Sequence, residues 1–257
     1  MSNITKNQTP LLSVCMSSHN EFEILKRTIN TFFDRASNPD DIEILIRIDD
    51  EANRSKKWID DVRTCAGLKR HMQIIIVTGP QNYGYCSVPD NITEMAKLST
   101  GEFIGCMADD YKDIDQGYDK HLQKWKGKCV LLTQIAEQNT HRWDTPIVHR
   151  KIFELTETMS ICEFANYHYD VFDREVPELV KDGGFTVYHT PTAEFGLNCS
   201  LGLQCNFIKD DDYRLNKDDD YYPNQEGSKW DHFIKHYISK VKQFVIDNPE
   251  FDPNIGE

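Results

Sequence analysis

Four short apolar runs alternate with less apolar segments across residues 11–107 of this chain. The runs cover residues 11–17, 42–48, 73–78 and 102–107, and each has the length of a buried strand. Helices are predicted between them, from about residue 20, over 55–65 and over 89–98. Alternating strands and helices form a mostly parallel sheet with helices on both faces. The pattern therefore predicts a single α/β domain.

Two of the predicted strands end in a pair of carboxylates. The second run is followed by Asp49 and Asp50, and the fourth by Asp109 and Asp110. The carboxyl ends of parallel strands lie along one edge of a sheet, where open α/β folds bind their ligands. Adjacent carboxylates repel each other unless a cation neutralises them, and oxygen ligands suit Mg²⁺ or Mn²⁺. The alternative is that each pair is a polar turn after a strand.

The composition argues against several classes of partner. The formal net charge of -13 disfavours nucleic acid and anionic membranes. The sequence contains no run of about 18 apolar residues, so no transmembrane segment is predicted. The first ten residues, MSNITKNQTP, lack the apolar core of a secretion signal. We therefore expect a cytoplasmic protein.

The cysteines are predicted to be free thiols. The chain has eight of them, and no two have the C-x-x-C spacing of a zinc or redox site. Three of them, Cys15, Cys106 and Cys129, lie in predicted strands, the last in a further strand over 129–135. A buried free thiol behaves there as a small apolar side chain.

Two common phosphate-binding motifs are absent from the sequence. No G-x-G-x-x-G follows the first strand, and no G-x-x-x-x-G-K-[ST] occurs anywhere. Instead the segments SVCMSSHNE, ILIRIDDEA and GEFIGCMADDY follow one another along the chain. In this order they resemble the three opening motifs of family 2 glycosyltransferases of the GT-A fold. The resemblance covers roughly residues 11–190.

The resemblance implies a Rossmann-like GT-A domain and a transferase of the hexosyltransferase type. The reaction implied is inverting transfer of a sugar from a nucleotide-diphosphate donor to a hydroxyl of a glycan or other acceptor. A divalent cation, Mn²⁺ or Mg²⁺, would lie at the diphosphate. Two alternatives remain open. One is an inactive nucleotide-sugar binding module of the same shape, and the other is a sugar-phosphate nucleotidylyltransferase, although SSHNEFE lacks the Gly-rich basic loop expected of that class.

The resemblance also assigns roles to residues near the predicted sheet edge. Ser17, Asn20 and Glu21 would border the nucleotide, and Asp49 would accept a hydrogen bond from its base. Asn91 would stand where the family often has an Arg-Asn pair.

The predicted metal ligands depart from the family motif. Asp110 matches the last carboxylate of the metal-binding D-x-D, but Ala108 stands where its first Asp belongs. Asp109 occupies the middle position, where it would border the nucleotide or substitute as a metal ligand. The basic residue that precedes the asparagine in the family is Asp90 here.

A catalytic base is implied within residues 167–191. Counting back from Phe185 places Asp173 at the position of the family's catalytic Asp. Asp170 lies one helical turn earlier and is the second candidate, and Glu175 is the third. The chemistry needs one carboxylate within hydrogen-bonding reach of the acceptor hydroxyl. The alternative is that these are exposed acids at the start of a helix, where the macrodipole favours them.

The same segment contains two predicted elements and a histidine. The apolar spacing over 176–180 predicts a short helix, which Gly183 and Gly184 would end, and a strand is predicted over 185–188. His189 follows that strand and could ligate the metal, as a histidine does in some enzymes of this fold. The alternative is a capping or surface histidine.

The last part of the chain is predicted to be an acidic segment followed by a helix. We divide the sequence into a GT-A domain over 1–205 and a remainder over 206–257 that packs on the same domain. Acidic runs at 210–212 and 218–220 lack the glycine of a calcium-binding loop and are expected to be solvated. From residue 228 an apolar stripe predicts a helix that packs back on the domain, with a homodimer contact as the alternative.

Overall fold

Eight strands and five helices make up the part of the protein that the structure describes. The structure is a computed structural model and describes residues 9–18, 22–49, 60, 73–79, 87–136, 146–157, 159, 176–189 and 229–255. The strands are β1 (Leu12–Ser18), β2 (Ile42–Asp49), β3 (Ile74–Gly79), β4 (Phe103–Cys106), β5 (Tyr111–Ile114), β6 (Leu131–Ala136), β7 (Ile147–His149) and β8 (Val180–His189). The helices are α1 (Phe22–Arg35), α2 (Ser87–Leu98), α3 (Tyr118–Gln123), α4 (Arg150–Thr156) and α5 (Lys229–Asp247).

All eight strands belong to one sheet, in the order β3-β2-β1-β4-β7-β6-β8-β5. The first four strands of this order are mutually parallel. β7 pairs antiparallel with both β4 and β6, β6 pairs parallel with β8, and β5 closes the order antiparallel to β8. Four of the seven pairings are parallel, so the predicted mostly parallel sheet is confirmed.

The sheet is covered by helices on both faces, as predicted. Successive side chains of a strand point to opposite faces, and the two faces therefore bury two separate apolar clusters. The first cluster packs α1 on one face and includes Val14, Met16, Ile44, Ile46, Leu25, Ile29 and Phe32. The second cluster packs α2, α4 and α5 on the other face and includes Cys15, Leu45, Ile92, Met95, Ile152 and Val241. Within the described ranges, no helix is long and apolar enough to cross a membrane.

The C-terminal helix α5 contributes one apolar face to the second cluster. Tyr237 and Ile238 are buried, as is Val241 about one helical turn later, and α5 lies against α4. After α5 the chain turns back, and the ring of Phe244 lies 5.3 Å from that of Phe251. The helix therefore packs on the same sheet as the rest of the chain.

The turn after α5 is bonded to the segment before β6. The Nζ of Lys128 donates to the carbonyl oxygens of Asp252 and Ile255, both at 2.9 Å. The backbone N–H of Cys129 donates to the carbonyl of Phe251 at 2.8 Å. Cys129 consequently lies outside the sheet ladder. Its prediction as a strand residue is wrong, because β6 begins two residues later, at Leu131.

The buried carboxylate of Glu43 connects β2 to β1 and to the turn before β4 at the amino-terminal end of the sheet. Glu43 lies in β2 and is 2% exposed. It accepts hydrogen bonds from the Ser13 hydroxyl at 2.6 Å, the Thr100 N–H at 2.5 Å, the Thr100 hydroxyl at 2.9 Å and the Gly101 N–H at 3.1 Å. A Cβ on Gly101 would come within 2.5 Å of the Ser13 hydroxyl oxygen, so only glycine fits. These contacts set the start of β4 against β1 and β2.

A second carboxylate, that of Glu102, lies at the β4–β7 contact. Its Oε1 lies 3.7 Å from Nε2 of the buried His149 and accepts a hydrogen bond from the N–H of Gly127. Burial by itself raises the pKa of Glu102, but His149 and the Gly127 N–H outweigh it, and the net pKa is lowered from the ordinary value of 4.5. The charged form of Glu102 is therefore favoured in the folded chain.

The short helix predicted over 176–180 is absent from the structure. The N–H of Leu179 donates to the carbonyl of Val176 in a turn, and β8 already begins at Val180. The side chains of Val176 and Leu179 are both buried. Their helix-like spacing therefore comes from a turn whose apolar side chains face the core. Gly184 lies inside β8 with a φ of +74°, where the register with β6 shifts. The glycine accommodates this irregularity and does not end a helix.

Replacing Glu43 with glutamine should destabilise the fold. The amide keeps one oxygen acceptor but places an NH₂ group where the carboxylate accepts from buried donors. We expect the free energy of unfolding to fall by about 2–3 kcal/mol, as is usual for leaving buried polar groups unsatisfied. Urea denaturation measures the change. The control is Glu154→Gln, which removes an exposed ion pair with Lys151 and should change stability by less than about 0.5 kcal/mol. Equal effects of the two variants would contradict the role given to Glu43.

The lowered pKa of Glu102 makes part of the stability depend on pH. A carboxyl group whose pKa is lower in the folded state stabilises the fold above its unfolded pKa and loses that effect as pH falls through the folded value. The difference in unfolding free energy between wild type and Glu102→Gln should thus be constant near neutrality and shrink below the ordinary pKa of 4.5. Denaturation at several pH values measures it, and His149→Gln should reduce the pH-dependent part. A difference that does not vary with pH would be inconsistent with this account.

Candidate active site

The carboxyl ends of β1, β2 and β4 lie side by side along one edge of the sheet. β2 and β4 pair in parallel on either side of β1, with Ser18 opposite Ile48 and Cys15 opposite Cys106. The backbone ladder continues past β4, since the N–H of Met107 donates to the carbonyl of Cys15 at 3.0 Å. The two acidic pairs predicted to line one crevice therefore follow strands that flank the end of β1.

Two residues predicted to bind the nucleotide are in direct contact. Asn91 lies near the start of α2, is fully buried, and donates from Nδ2 to the hydroxyl of Ser17 at 2.9 Å. Ser17 lies near the end of β1 and is half-buried, so its side chain reaches the edge of the sheet. Asp90, the residue that departs from the family pattern, is exposed. The hydrogen bond from Asn91 thus orients the hydroxyl of Ser17 at the edge of the sheet.

A buried arginine that the sequence reasoning missed supports the same edge. Arg47 of β2 is 3% exposed, and its Nε donates to the carboxylate of Glu94 on α2 at 3.0 Å. Its Nη1 donates to the carbonyls of Ile48 at 2.5 Å and Gly79 at 3.3 Å. One guanidinium therefore joins the ends of β2 and β3 to α2. A fixed positive charge also lies two residues before Asp49.

The segment after β4 presents its three side chains differently. Ala108 is partly buried and packs against the first cluster. Asp109 is 9% exposed and counts among the buried polar residues, whereas Asp110 is more exposed. Asp110 is thus the less buried of the two residues, although its Oδ1 atom is itself buried. Ala108, at the position of the missing motif carboxylate, contacts the core.

The backbone of His189 lies beside this segment. Tyr111, the residue after Asp110, opens β5 and pairs with His189 in the antiparallel β5–β8 ladder. His189 is the last residue of β8 and belongs to the strand that was predicted to end before it. The register thus brings the chain at His189 next to the chain at Asp110. The side chain of His189 lies outside the described part.

The described side chains do not form a complete metal cage. Within the described ranges, no group of three or more His, Cys, Asp or Glu residues is placed to hold a metal ion. Mg²⁺-type sites commonly use only one or two carboxylates and take further oxygens from substrate phosphates. The Asp109–Asp110 pair would fit a cation that a bound diphosphate helps to hold.

Several predicted site residues fall outside the described part of the chain. These are Asn20, Glu21, Asp50, Asp170, Asp173 and Glu175, together with the side chain of Asp49. The backbone of Asp49 is placed as the last residue of β2, opposite Gly79. The predicted helix over 55–65 and the acidic runs at 210–212 and 218–220 are likewise outside, apart from Asp60.

The cysteines of the described ranges are free thiols, and burial favours their neutral form. Burial raises the pKa of Cys106 and of Cys129 to about 12, and it also raises the pKa of Cys15. The neutral thiol is the form that packs as a small apolar side chain. The described thiols are therefore not candidate metal ligands at this edge.

The family of the chain follows from a sequence comparison. The model of glycosyl transferase family 2 matches residues 13–172, which include β1, β2, β4 and the acidic segments that follow β2 and β4. The chain belongs to glycosyl transferase family 2. No curated protein matches it significantly along the sequence.

Solved structures confirm the GT-A fold. The mannosyltransferase PcManGT from Pyrobaculum calidifontis, in complex with GDP-Man and Mn²⁺, superposes with a TM-score of 0.54 at 10% identity, covering 96% of this chain and 68% of that chain. S. aureus TarS gives a TM-score of 0.50 at 10% identity, covering 91% of this chain and 44% of that chain. At such identities the likeness concerns the fold.

Proposed function

We propose that the protein transfers a sugar, with inversion, from a nucleotide-diphosphate donor to an acceptor hydroxyl, with a divalent cation at the diphosphate. The observation that carries this proposal is the arrangement of the sheet edge. Residues of three adjacent parallel strands of a family 2 chain, Ser17, Asp49 and the pair after β4, lie along that edge. The fold itself does not decide the reaction, so the site must carry the argument.

The nucleotide would bind across the ends of β1 and β2. The hydroxyl of Ser17, oriented by Asn91, offers a fixed polar group, and Asp49 would accept a hydrogen bond from the base. Arg47 keeps the ends of β2 and β3 in place. PcManGT was solved with GDP-Man and Mn²⁺, which supports a nucleotide-sugar and a cation as the ligands to test first.

The diphosphate would lie toward β4. Asp110, with Asp109 and His189 as further candidates, would hold Mn²⁺ or Mg²⁺ against its oxygens. The cation, when bound, would stabilise the negative charge that develops on the departing diphosphate. The contribution of the protein is to keep two carboxylates at a fixed place on the sheet edge, beside the binding site of the nucleotide.

The transfer step breaks one C–O bond and forms another. The acceptor oxygen bonds to the anomeric carbon while the bond from that carbon to the diphosphate breaks, and the electron pair leaves with the nucleoside diphosphate. The hydroxyl proton passes to a carboxylate, which we assign to Asp173, with Asp170 as the second candidate. Attack from the face opposite the leaving group inverts the anomeric centre.

A homodimer contact through α5 remains a separate prediction, on which the proposed reaction does not depend.

A second candidate function is an inactive nucleotide-sugar binding module. It is favoured by Ala108, which contacts the first cluster where the motif has a carboxylate, and by the exposed Asp90 in place of a basic residue. The family match favours both of these candidates over a nucleotidylyltransferase. Metal-dependent nucleotide binding without donor hydrolysis or transfer would identify the module.

The assignment of the metal can be tested by calorimetry with UDP and GDP, with and without Mn²⁺. Asp110→Asn should keep the fold but weaken Mn²⁺-dependent nucleotide binding by at least about 100-fold, more than the loss of an outer-shell partner, because a neutral amide is a poor ligand. Asp109→Asn is the matched control and should have a smaller effect, since Asp109 is the more buried of the two. If Asp110→Asn bound nucleotide and Mn²⁺ like wild type, the metal assignment would be wrong.

The assignment of the base can be tested by measuring transfer and donor binding separately. Asp173→Asn keeps the side-chain volume but removes the proton acceptor, so transfer should fall by about two to four orders of magnitude while donor binding survives. Asp170→Asn, one turn away, serves as its control and should have a smaller effect. A reversed result would move the base to Asp170, and full activity in both variants would remove this segment from the chemistry.

A further inference from the structure

A buried hydroxyl on α1 contacts the backbone of the acidic segment that follows β4. Thr28 is fully buried, and its Oγ1 lies 3.0 Å from the carbonyl oxygen of Asp109 and 3.1 Å from that of Tyr111. These two carbonyls belong to the residues immediately before and after Asp110. One hydroxyl group therefore contacts the chain on both sides of Asp110, the less buried of the two acidic residues.

These contacts are unusual for a threonine within a helix. A threonine hydroxyl in this position normally bonds to a carbonyl one turn earlier in its own helix. Thr156 of α4 does this, since its hydroxyl donates to the carbonyl of Ile152 at 2.7 Å. The Thr28 hydroxyl instead reaches partners that are 81 and 83 residues away in sequence. Its single hydrogen, shared between the two carbonyls, thus ties the end of the acidic segment and the start of β5 to α1.

The rest of α1 contacts β5, the strand that follows the acidic segment. The ring of Phe32, one turn after Thr28, lies 5.9 Å from the ring of Tyr111. Arg35, at the end of the helix, forms an ion pair with Asp113 of β5 at 2.7 Å. These contacts follow α1 from its middle to its end. Of these contacts, the one made by the Thr28 hydroxyl is with the acidic segment itself.

The amino-terminal end of α1 follows the end of β1, where the nucleotide is expected to bind. The helix begins at Phe22, shortly after β1 ends at Ser18, and the intervening residues include Asn20 and Glu21, which are expected to border the nucleotide. α1 thus begins a few residues after β1 ends and contacts the acidic segment through Thr28 near its middle.

We infer that Thr28 is a positioning residue for the cation, because its hydroxyl fixes the backbone on both sides of Asp110. The inference rests on the proposed function, in which Asp110 is the main metal ligand. Without the hydroxyl, the two carbonyls lose a shared donor, and the loop can move the carboxylates away from the geometry that the cation needs. The hydroxyl itself touches neither the nucleotide nor the cation.

The test compares variants that keep or remove the hydroxyl. Thr28→Val has nearly the same shape but no hydroxyl, and we expect its affinity for Mn²⁺ in the presence of UDP or GDP to fall about tenfold, as is typical when an outer-shell partner is lost. Thr28→Ser keeps the hydroxyl and should bind Mn²⁺ like wild type. The signal of free Mn²⁺ in electron paramagnetic resonance measures binding without any need for turnover. Nucleotide binding without metal should be unchanged in both variants.

The control variant is Thr156→Val, which removes a hydroxyl from α4 on the other face of the sheet and should leave Mn²⁺ affinity unchanged. If Thr28→Val does not fold, Thr28→Ala replaces it, and it must lose Mn²⁺ affinity while Thr28→Ser does not. In transfer assays, Thr28→Val should need about tenfold more Mn²⁺ for half-maximal rate and reach a similar rate at saturation.

The outcomes separate this inference from the proposed function. Wild-type affinity for Mn²⁺ in the hydroxyl-free variant, or an equal loss in Thr28→Ser, would overturn the role of Thr28 while leaving the proposed function intact. A wild-type protein that binds nucleotide equally well with Mn²⁺ and with a chelator would overturn the metal assignment, and the positioning role with it.

Discussion

The arrangement of β2, β1 and β4 at one end of the sheet depends on the burial of one carboxylate, that of Glu43. A charged group removed from water destabilises a fold by several kcal/mol unless hydrogen bonds satisfy it. Glu43 is satisfied by donors from β1 and from the turn before β4, so neither β1 nor this turn can shift without leaving the buried carboxylate unsatisfied. The same turn is held from the other side by Arg150, whose Nε donates to the carbonyl of Gly101 at 2.6 Å and whose Nη2 donates to the Ser99 hydroxyl at 2.9 Å. Hydrogen bonds to Glu43 and from Arg150 thereby fix the register of β1, β2 and β4 at the amino-terminal end of the sheet.

The two ends of the sheet use carboxylates in opposite ways. At the amino-terminal end, Glu43 is enclosed and fully occupied by protein donors, so it has no capacity left for a ligand. At the carboxyl-terminal end, the acids after β4 are held through their backbone, by the Thr28 hydroxyl. These contacts involve the backbone and not the carboxylate of Asp110, which is the proposed metal ligand. The amino-terminal end of the sheet is therefore held by buried hydrogen bonds, and the residues proposed to bind a ligand lie at the carboxyl-terminal end.

The first half of the fold was predictable because its signals are long and repeated. The strands at β1 to β4 are apolar runs, and their observed ends lie within about two residues of those predicted, which is the usual uncertainty of such boundaries. β7 could not be predicted, since three residues are too few to show a periodicity. The predicted helix near Val176 failed because a core-facing turn buries apolar side chains at the same spacing. Tertiary packing, and not helix propensity, sets the burial there.

The candidate site was predicted where a strand end or a motif marks it. The acids after β4 were selected because they follow an apolar run, and Ser17 and Asn91 because the family resemblance marks their positions; the structure places Ser17 and Asn91 in contact. Arg47 was missed because an arginine inside an apolar strand gives no sign, in sequence, of the carbonyls it will meet on the neighbouring strand. Thr28 was missed for the same physical reason, since its partners are distant along the chain and are backbone atoms, which carry no sequence signal.

The contact between Arg47 and Gly79 has a consequence for how this edge can evolve. A Cβ at residue 79 would lie 2.6 Å from Nη2 of Arg47, and the guanidinium cannot swing aside because it is bonded to Glu94 and to two carbonyls. A side chain at 79 is therefore compatible only with a shorter residue at 47. The two positions should change together in descendants of this chain, and a single substitution at 79 should be rare wherever the arginine is retained.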